Sequence, residues 1–354
     1  MILGIETSCD DTSVAIINQA HDILSNVVSS QEKEHTPFGG VVPELASRAH
    51  LENIETVYNR ALQKAGLKLK DIQLIAVTIG PGLIGSLLVG LNFAKGLALN
   101  SHIPLVGVNH IRGHIEALFL EHKSIQLPAL ALIVSGGHTH LFSISKSRFN
   151  TLLVKTRDDA AGEAFDKLSK MLGLGFPGGA IVDHTARKGD PEAYAFSLPR
   201  MGDGSLDYSF SGMKTAALRI IEREPHAFAN PQSPEVANLC ASYQKAVVRQ
   251  LTHRVQKALD KSTFKSILVG GGVACNSALR QAFGELSEKN HLPAYLTRPS
   301  LSTDNAAMIA AEGLRLMIKG EVNRSKAMSC GPDISLKAYD GYTPLHLWDG
   351  KHAN

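Results

Sequence analysis

Cysteine is scarce in this chain, and its few copies lie far apart. None of Cys9, Cys240, Cys275 and Cys330 forms a C-x-x-C pair with another, so the sequence encodes neither a zinc ribbon nor a disulfide framework. We expect reduced thiols with no assigned chemistry, because a small side chain in a crowded turn is the simpler role for Cys9 and Cys275.

Long apolar runs are also missing. The longest apolar helix candidate, residues 83–99, is interrupted by Asn92 and Lys95, and no run reaches the roughly 20 residues that span a bilayer. The chain passes from Met1 directly into a strand pattern, without the basic and apolar regions of a secretory signal. These features predict a cytoplasmic protein without a membrane segment.

The chain has no large excess of charge and no standard phosphate loop. Its 36 basic and 33 acidic residues leave a net charge of +3, which permits a nucleic-acid partner without requiring one. No Walker A sequence is present. Residues 80–85 match G-x-G-x-x-G between a predicted strand and helix, but no acidic residue follows about 20 residues on, so a Rossmann site is disfavoured.

What the chain does contain is a regular alternation of apolar strands and amphipathic helices, which predicts an α/β fold. The clearest helix covers residues 233–261, whereas residues 177–211 show no periodicity and are expected to be irregular. A length of 354 residues suits two lobes. The expected divisions are lobe I over 1–126, lobe II over 127–303, a C-terminal helix over 304–320 that packs back on lobe I, a return segment to 339, and a loose tail over 340–354.

Two strand–turn–strand segments resemble one another. Residues 2–17 and 129–144 align without a gap at a shift of 127, which places Ser8 on Ser135 and Thr12 on Thr139. A tight turn with exposed amides and short hydroxyls can bind phosphate. The pair therefore suggests two similar lobes around one nucleotide, the alternative being two ordinary hairpins.

Glycines follow several of the predicted strands. Residues 270–276, Gly-Gly-Gly-Val-Ala-Cys-Asn, join a strand to a helix that begins at Ser277. At the carboxyl end of a strand, such a turn lets a ligand approach the backbone and the positive helix terminus. We expect this loop to contribute to a nucleotide site.

Two histidines have the spacing of metal ligands. His110 and His114 are four residues apart, which places both imidazoles on one helix face. The residue after the first histidine is Ile111, so the H-E-x-x-H pattern of metallopeptidases is absent. Asp304 is the candidate third ligand, with helix capping as its alternative role. Two histidines and one carboxylate favour iron(II) and allow zinc, whereas the spacing alone also fits an ordinary surface pair.

Eight segments in order closely resemble motifs of the bacterial tRNA threonylcarbamoyladenosine transferase family (TsaD-type), formerly called O-sialoglycoprotein endopeptidases or glycoproteases. The resemblance runs from about Met1 to Pro332. At Asp11 the family more often has glutamate. The matching segments are residues 4–12, 39–50, 80–86, 109–114, 134–139, 162–167, 210–215 and 270–276.

The resemblance implies an actin-like ATPase fold, related to sugar kinases and chaperone ATPases, with two duplicated lobes and a central cleft. It also implies that the protein moves a threonylcarbamoyl group from threonylcarbamoyl-adenylate to the exocyclic amine of adenosine at position 37 in tRNAs that read ANN codons, and that AMP is released. The implied partners are tRNA, a separate synthase that makes the adenylate, an inactive paralogue of the same fold (TsaB-type) and a small P-loop ATPase (TsaE-type).

Carried over by position, the resemblance implies one divalent metal ion, iron(II) or zinc(II), held by His110, His114 and Asp304. It also implies an adenylate site. Glycines there would expose backbone donors to phosphate, while carboxylates and an amide would bind ribose or amine hydrogens; helix-surface charge and turn capping are the alternative roles of these polar residues. The implied substrate-binding residues are Ile133, Val134, Ser135, Gly136, Gly137, Asp166, Gly179, Asp183 and Asn276.

Asp10 and Asp11, in the first hairpin turn, are our candidate catalytic residues. Either carboxylate could steer the incoming adenosine amine or take its proton, and hydrogen bonding within the turn is the alternative role.

Three other functions fit parts of this pattern. A sugar or acyl kinase of the same fold would use the glycine turns but leave the histidine pair without a role. A metallopeptidase would use the histidines but lacks the catalytic glutamate. A nucleotide-gated scaffold would need no chemistry at all.

Overall fold

The computed structural model describes residues 1–322 and 341–351. The chain forms two compact units: unit 1 comprises residues 1–123 and 303–338, and unit 2 comprises residues 124–302 and 339–354. Cys330 and nearly all of the expected return segment lie outside the described residues. No helix within the described ranges combines the length and the apolar character needed to cross a membrane.

Unit 1 contains a five-stranded sheet in the order β3-β2-β1-β4-β5. The first three strands form an antiparallel meander, and the last two pair in parallel with β1 and with each other. Helix α11 packs against α4 and against β1. The strands are β1 (Ile2–Glu6), β2 (Asp11–Ile17), β3 (Ile23–Ser30), β4 (Leu74–Gly80) and β5 (Leu105–Asn109), and the helices are α1 (Glu32–His35), α2 (Pro43–Ala65), α3 (Ile84–Ser101), α4 (His110–Glu121) and α11 (Ala306–Ile318).

Unit 2 contains a six-stranded sheet in the order β10-β9-β6-β7-β8-β11. Its largest helix, α8, is buried along most of its length and packs against α6 and α9. The strands are β6 (Ala129–Val134), β7 (Thr139–Ile144), β8 (Asn150–Lys155), β9 (Ser266–Gly270), β10 (Ala294–Leu296) and β11 (Gly341–Tyr342), and the helices are α5 (Ala161–Met171), α6 (Gly178–Ala186), α7 (Ser211–Arg223), α8 (Pro234–Leu259), α9 (Ser277–Asn290) and α10 (Pro299–Ser302).

The two sheets share one topology. In each, an antiparallel meander of three strands is extended by two parallel strands beside its first strand. The pairing of Ile2 with Ile17 in unit 1 corresponds to that of Ala129 with Ile144 in unit 2, at the shift of 127 found in the sequence. The two similar hairpins therefore occupy equivalent places in a duplicated α/β fold.

Two sequence expectations were wrong. Residues 177–211 are not wholly irregular, because α6 forms over Gly178–Ala186. The described part of the expected loose tail is packed on unit 2: Gly341 pairs in parallel with Thr151, and Leu345 and Trp348 are 1% and 5% exposed. The segment is held because these two apolar side chains join the core, while Lys261 Nζ donates to the carbonyls of residues 345, 346 and 348 at 2.7, 3.2 and 3.0 Å.

Candidate functional site

The histidine pair lies at the start of α4, directly after β5. The Asn109 side chain begins the helix by accepting hydrogen bonds from the backbone N–H groups of Ile111 and Arg112 at 2.9 and 3.3 Å. His110 and His114 then fall on one face of the helix, where their rings meet edge to face with centroids 4.7 Å apart.

Asp304 lies beside both histidines. Its Oδ1 is 3.4 Å from Nε2 of His110 and 3.3 Å from Nε2 of His114. The helix that follows begins at Ala306 rather than at Asp304, and Asn305 supplies the side-chain cap by accepting from the Met308 N–H at 3.2 Å. Capping of α11 therefore does not explain Asp304.

The donor set fits a single metal ion. One ligand atom from each of His110, His114 and Asp304 lies within 4.8 Å of the others. His114 is 1% exposed; among the described residues its Nδ1 has no hydrogen-bond partner, and its Nε2 has only the 3.3 Å approach of Asp304 Oδ1. A buried imidazole with an unsatisfied nitrogen is costly unless it binds something, and two imidazoles with one carboxylate suit a first-row divalent cation.

Glu6, which sequence reasoning missed, orients His110. Its Oε2 lies 3.1 Å from Nδ1 of His110 and accepts a hydrogen bond from the Thr78 hydroxyl at 2.6 Å, while its Oε1 accepts from the Ser8 N–H at 2.5 Å. Holding Nδ1 in this way aims Nε2 at Asp304, as outer carboxylates do for metal-binding histidines. The available signal was a carboxylate inside a fully buried apolar strand.

The pKa values of the two histidines shift in opposite directions. Burial acts against protonation of His110, but the carboxylates of Asp304 and Glu6 raise its pKa to about 9. Burial lowers the pKa of His114, although Asp304 acts in the opposite sense. The neutral His114 imidazole therefore has a lone pair on one ring nitrogen that is available for a cation.

Asp10 lies in the turn after β1, and Asp11 begins β2 directly after it. Burial, followed by the charges of Asp304 and Asp10, raises the pKa of Asp11 to about 7. One buried oxygen of Asp11, Oδ1, has no hydrogen-bond partner among the described residues. Burial likewise raises the pKa of Asp10. Cys9 shows no sign of nucleophile activation, since burial and nearby carboxylates raise its pKa well above the usual range.

His50, from α2, braces the same turn and was also missed. Its Nε2 lies 3.0 Å from the Cys9 carbonyl and its Nδ1 lies 2.7 Å from the Thr12 hydroxyl. Because a carbonyl can only accept, Nε2 carries the proton and Nδ1 accepts from the hydroxyl. Burial lowers the pKa of His50, so a neutral, fully buried imidazole joins the two ends of the turn that carries Asp10 and Asp11.

In unit 2, one side of the second hairpin turn packs against the start of α5, and the other side is open. The carbonyls of Ser135 and Gly136 accept from the N–H groups of Gly162 and Glu163 at 3.2 and 3.1 Å, at the start of α5. A Cβ on Gly162 would lie 2.6 Å from the Ser135 carbonyl oxygen, whereas a Cβ on Gly136 or Gly137 would meet nothing within 4 Å. The front of the turn leaves room for a ligand to reach the backbone.

Of the other predicted substrate residues of unit 2, two lie in the strand before this turn and two join neighbouring helices by hydrogen bonds. Ile133 and Val134 are buried in β6. Asp166 accepts from the Gly178 N–H at 2.8 Å, joining α5 to α6. Asp183 accepts from the N–H and hydroxyl of Ser277 at 3.2 and 2.6 Å, joining α6 to α9.

Asn276 completes this group as the cap of α9. Its side-chain oxygen accepts from the Leu279 N–H at 3.0 Å, and its Nδ2 donates to Gln244 Oε1 at 2.8 Å. The capping interpretation of Asp183 and Asn276 is thus observed directly. Gly179 faces open space, and its neighbour Gly178 is the one that packing requires, since a Cβ there would lie 2.6 Å from Asp166 Cα.

The duplicated topology defines the class of two-lobed actin-like ATPase folds. The structure is similar to component A of (R)-2-hydroxyglutaryl-CoA dehydratase from Acidaminococcus fermentans, with a TM-score of 0.53 and 13% identity, covering 89% of this chain and 97% of that one. It is also similar to HypF from T. kodakarensis, with a TM-score of 0.57 and 15% identity, covering 91% of this chain and 48% of that one. At these identities the likeness concerns the fold alone.

Sequence relatives identify the family. The family model of TsaD, tRNA N6-adenosine threonylcarbamoyltransferase, matches residues 22–311. Proteins of that name from Thermodesulfovibrio yellowstonii and Trichlorobacter lovleyi are 50% and 49% identical to this chain, covering 91% and 88% of it and 96% and 90% of their own lengths. The chain belongs to the TsaD family of transferases. The family resemblance is confirmed, and nothing in these comparisons favours a kinase or a peptidase.

Proposed function

We propose that this protein transfers the threonylcarbamoyl group of threonylcarbamoyl-adenylate to the exocyclic amine of adenosine at position 37 in tRNAs that read ANN codons. A bond forms between that amine nitrogen and the carbamoyl carbon, the bond from this carbon to the phosphate oxygen breaks, and AMP leaves.

The grouping of His110, His114 and Asp304 carries the proposal. Their donor atoms come within 4.8 Å although Asp304 is 190 residues beyond His114. A phosphoryl-transferring kinase relies on Mg²⁺, which prefers oxygen ligands and would leave the two histidines without a role. Two imidazoles and a carboxylate instead suit a transition-metal ion, which can act as the Lewis acid of an acyl transfer.

Unit 2 holds the adenylate in this proposal. The open backbone of residues 135–137 binds phosphate through its amides, while Asp166, Asp183 and Asn276 fix the nucleoside by hydrogen bonds. Binding and orientation contribute most to an already activated donor, because they can be worth roughly 7 to 11 kcal/mol.

Unit 1 supplies the metal ligands and the proton acceptor. When bound at His110, His114 and Asp304, a divalent ion, which we propose to be iron(II) with zinc(II) as the alternative, supplies Lewis acidity for the acyl transfer. The Oδ1 atom of Asp11, which has no partner among the described residues, takes the proton from the attacking amine, and Asp10 helps to orient that amine.

The proposed setting is the cytoplasm, with several partners. A separate synthase supplies the adenylate, and a TsaB-type paralogue and a TsaE-type P-loop ATPase complete the system. The mixed charge of the chain, +3 overall, is consistent with tRNA binding to a surface that these partners help to form.

Reconstituted transfer tests the proposal. The purified chain, its partners, synthase-generated adenylate and an unmodified tRNA transcript are combined, and the modified nucleoside is quantified by mass spectrometry. We expect product with the wild-type chain and at least a 100-fold lower rate with His114→Ala, together with loss of bound metal.

His226→Ala is the matched control, because His226 is an exposed histidine of unit 2, whereas the metal group belongs to unit 1. It should keep both metal content and rate. Full transfer by a metal-free His110→Ala, His114→Ala double variant would contradict the proposed role of the metal group, and absence of product from the wild-type chain would contradict the function itself.

A further inference from the structure

Unit 2 contains a cationic cavity to which the reaction assigns no role. It has a volume of about 940 Å³ and lies between residues 197–206 and helix α8. Three arginines and a histidine line it: Arg200, Arg249, His253 and Arg254. Among the described residues no carboxylate lines the cavity.

Arg254 is the most telling member of this group. It is 3% exposed, yet among the described residues its guanidinium donates hydrogen bonds only to the carbonyls of Leu206 and Pro199, at 3.1 and 3.3 Å. Buried charges are ordinarily paired with an opposite charge. Arg254 lines the cavity and hydrogen-bonds to neutral carbonyls, with Asp207 acting on it electrostatically but not as a direct ion-pair partner.

The nearby acids are already occupied. Asp203 and Asp207, in the loop beside the cavity, both form ion pairs with Arg157, at 2.5 and 2.9 Å. Arg249 donates to the Phe196 carbonyl at 2.5 Å, and Arg200 makes no hydrogen bond or ion pair within residues 1–322 and 341–351. Three guanidinium groups line the cavity, whereas the two nearby acids are both paired with Arg157, so the cavity keeps an excess of positive charge.

The cavity is open and continuous with the surface of α8. Arg200 and Arg249 are exposed at its rim. Arg249 also borders a neighbouring cavity that Gln244 lines, and Gln244 accepts the hydrogen bond from Asn276. Nine residues separate Gln244 from His253 on α8, which is about 14 Å along the helix.

We propose that this cavity binds the phosphodiester backbone of the tRNA substrate. Guanidinium groups bind phosphate oxygens in a bidentate manner, and the cavity is far larger than one phosphate group. The site would position the RNA along α8 without reading its sequence. The inference rests on the proposed function, because it takes tRNA to be the substrate.

Salt-dependent binding tests this inference. The affinity of the full chain, with its partners, for unmodified tRNA is measured by fluorescence anisotropy from 50 to 300 mM salt. The Arg200→Ala, Arg249→Ala double variant should bind roughly 10-fold more weakly at the lowest salt, and the slope of log affinity against log salt should fall by about 1 to 2, since two phosphate contacts are lost.

Arg219→Ala is the matched control, because Arg219 is an exposed arginine on α7 that does not line the cavity. Unchanged affinity and slope in the double variant would overturn the inference, as would an equal loss in the Arg219 control. Loss of inorganic phosphate binding with unchanged tRNA binding would assign the cavity to a free anion instead.

The two proposals fail in different ways. A wild-type chain that binds tRNA but produces no modified nucleoside overturns the proposed function alone. If the wild-type chain transfers normally and the double variant binds tRNA as tightly as the wild-type chain, only the inference about the cavity is overturned. A wild-type chain that binds no tRNA overturns both.

Discussion

At the scale of single residues, Asp11 combines a partly buried carboxylate with an oxygen that has no partner among the described residues. Asparagine keeps the shape of the side chain and removes its basicity. We expect Asp11→Asn to lower the single-turnover transfer rate by about 100-fold or more, the usual contribution of a positioned base. The rate is measured by rapid quench with purified threonylcarbamoyl-adenylate.

The exposed Asp22→Asn in the same unit is the control and should leave the rate unchanged. Adenylate binding by the Asp11 variant should also be unchanged, because the adenylate residues lie in unit 2. A wild-type rate in the variant would show that Asp11 only supports the turn.

His50 has a positioning role that can be separated from catalysis. Replacement by phenylalanine removes both hydrogen bonds that join Cys9 to Thr12, which we expect to cost about 1 to 3 kcal/mol of unfolding free energy. The transfer rate should fall while metal content is retained. Urea denaturation measures the unfolding free energy, metal analysis the metal content, and a rapid-quench assay the transfer rate.

Glutamine at position 50 can donate and accept, so His50→Gln should recover part of the transfer rate. Loss of bound metal in the phenylalanine variant would show instead that His50 supports the metal group. An unchanged rate would contradict any role for the brace.

Two residues around the first turn, Glu6 and His50, could not be predicted from the sequence. The sequence predicts the first turn as a candidate site but not Glu6 or His50, because their roles depend on contacts that the fold creates. Glu6 contacts Nδ1 of His110, and His50 contacts the Cys9 carbonyl and the Thr12 hydroxyl. A single buried polar residue in an apolar strand or helix is not part of a spaced motif, so the sequence does not show whether its role is functional or purely structural.

At the scale of elements, the hairpin turn of unit 2 depends on a glycine in the helix behind it. Gly162→Ala would place a methyl group 2.6 Å from the Ser135 carbonyl oxygen, so we expect a loss of about 1 to 3 kcal/mol in stability and a weaker adenylate affinity. Urea denaturation and adenylate titration measure the two effects.

Gly137→Ala is the control, since a Cβ there meets nothing within 4 Å. It should leave stability nearly unchanged and affect only ligand binding. Equal destabilisation by both variants would contradict the distinction between the packed and open sides of the turn.

Elements with strong periodicity were predictable. The helix expected over residues 233–261 forms over Pro234–Leu259, and the two hairpins have the register that their alignment indicated. Helix α6 was missed because it begins with two glycines and lasts nine residues, too short for an apolar period to appear. Its position is set by packing against α5 and α8.

At the scale of the whole molecule, the metal should couple to folding. A ligand that binds only the native state stabilises it by about 2.7 kcal/mol when its concentration is 100 times its dissociation constant. We expect iron(II) under anaerobic conditions, or zinc(II), to raise the melting temperature of metal-depleted protein.

His114→Ala should abolish this rise, whereas His226→Ala should retain it. Calorimetry of both variants with and without metal makes the comparison. A metal-dependent rise that persists in His114→Ala would place the ion elsewhere.

Long-range groupings have only weak signals in the sequence without family resemblance. Asp304, 190 residues beyond His114, was a candidate third ligand with helix capping as its alternative, and the resemblance is what favoured the metal role. The arginines of the cationic cavity come from a loop and a helix about 50 residues apart, so no continuous basic segment of the sequence predicts the cavity. Such groups exist only once the chain has folded.

The short strand β11 has a consequence for how the protein behaves in solution. By pairing with Thr151 and Leu152 of β8, it covers the backbone amides and carbonyls at one margin of a six-stranded sheet. An uncovered margin recruits strands from other molecules. A version of the chain shortened before Gly341 would therefore tend to self-associate through β8, and its solubility would fall even though every residue assigned to the reaction is still present.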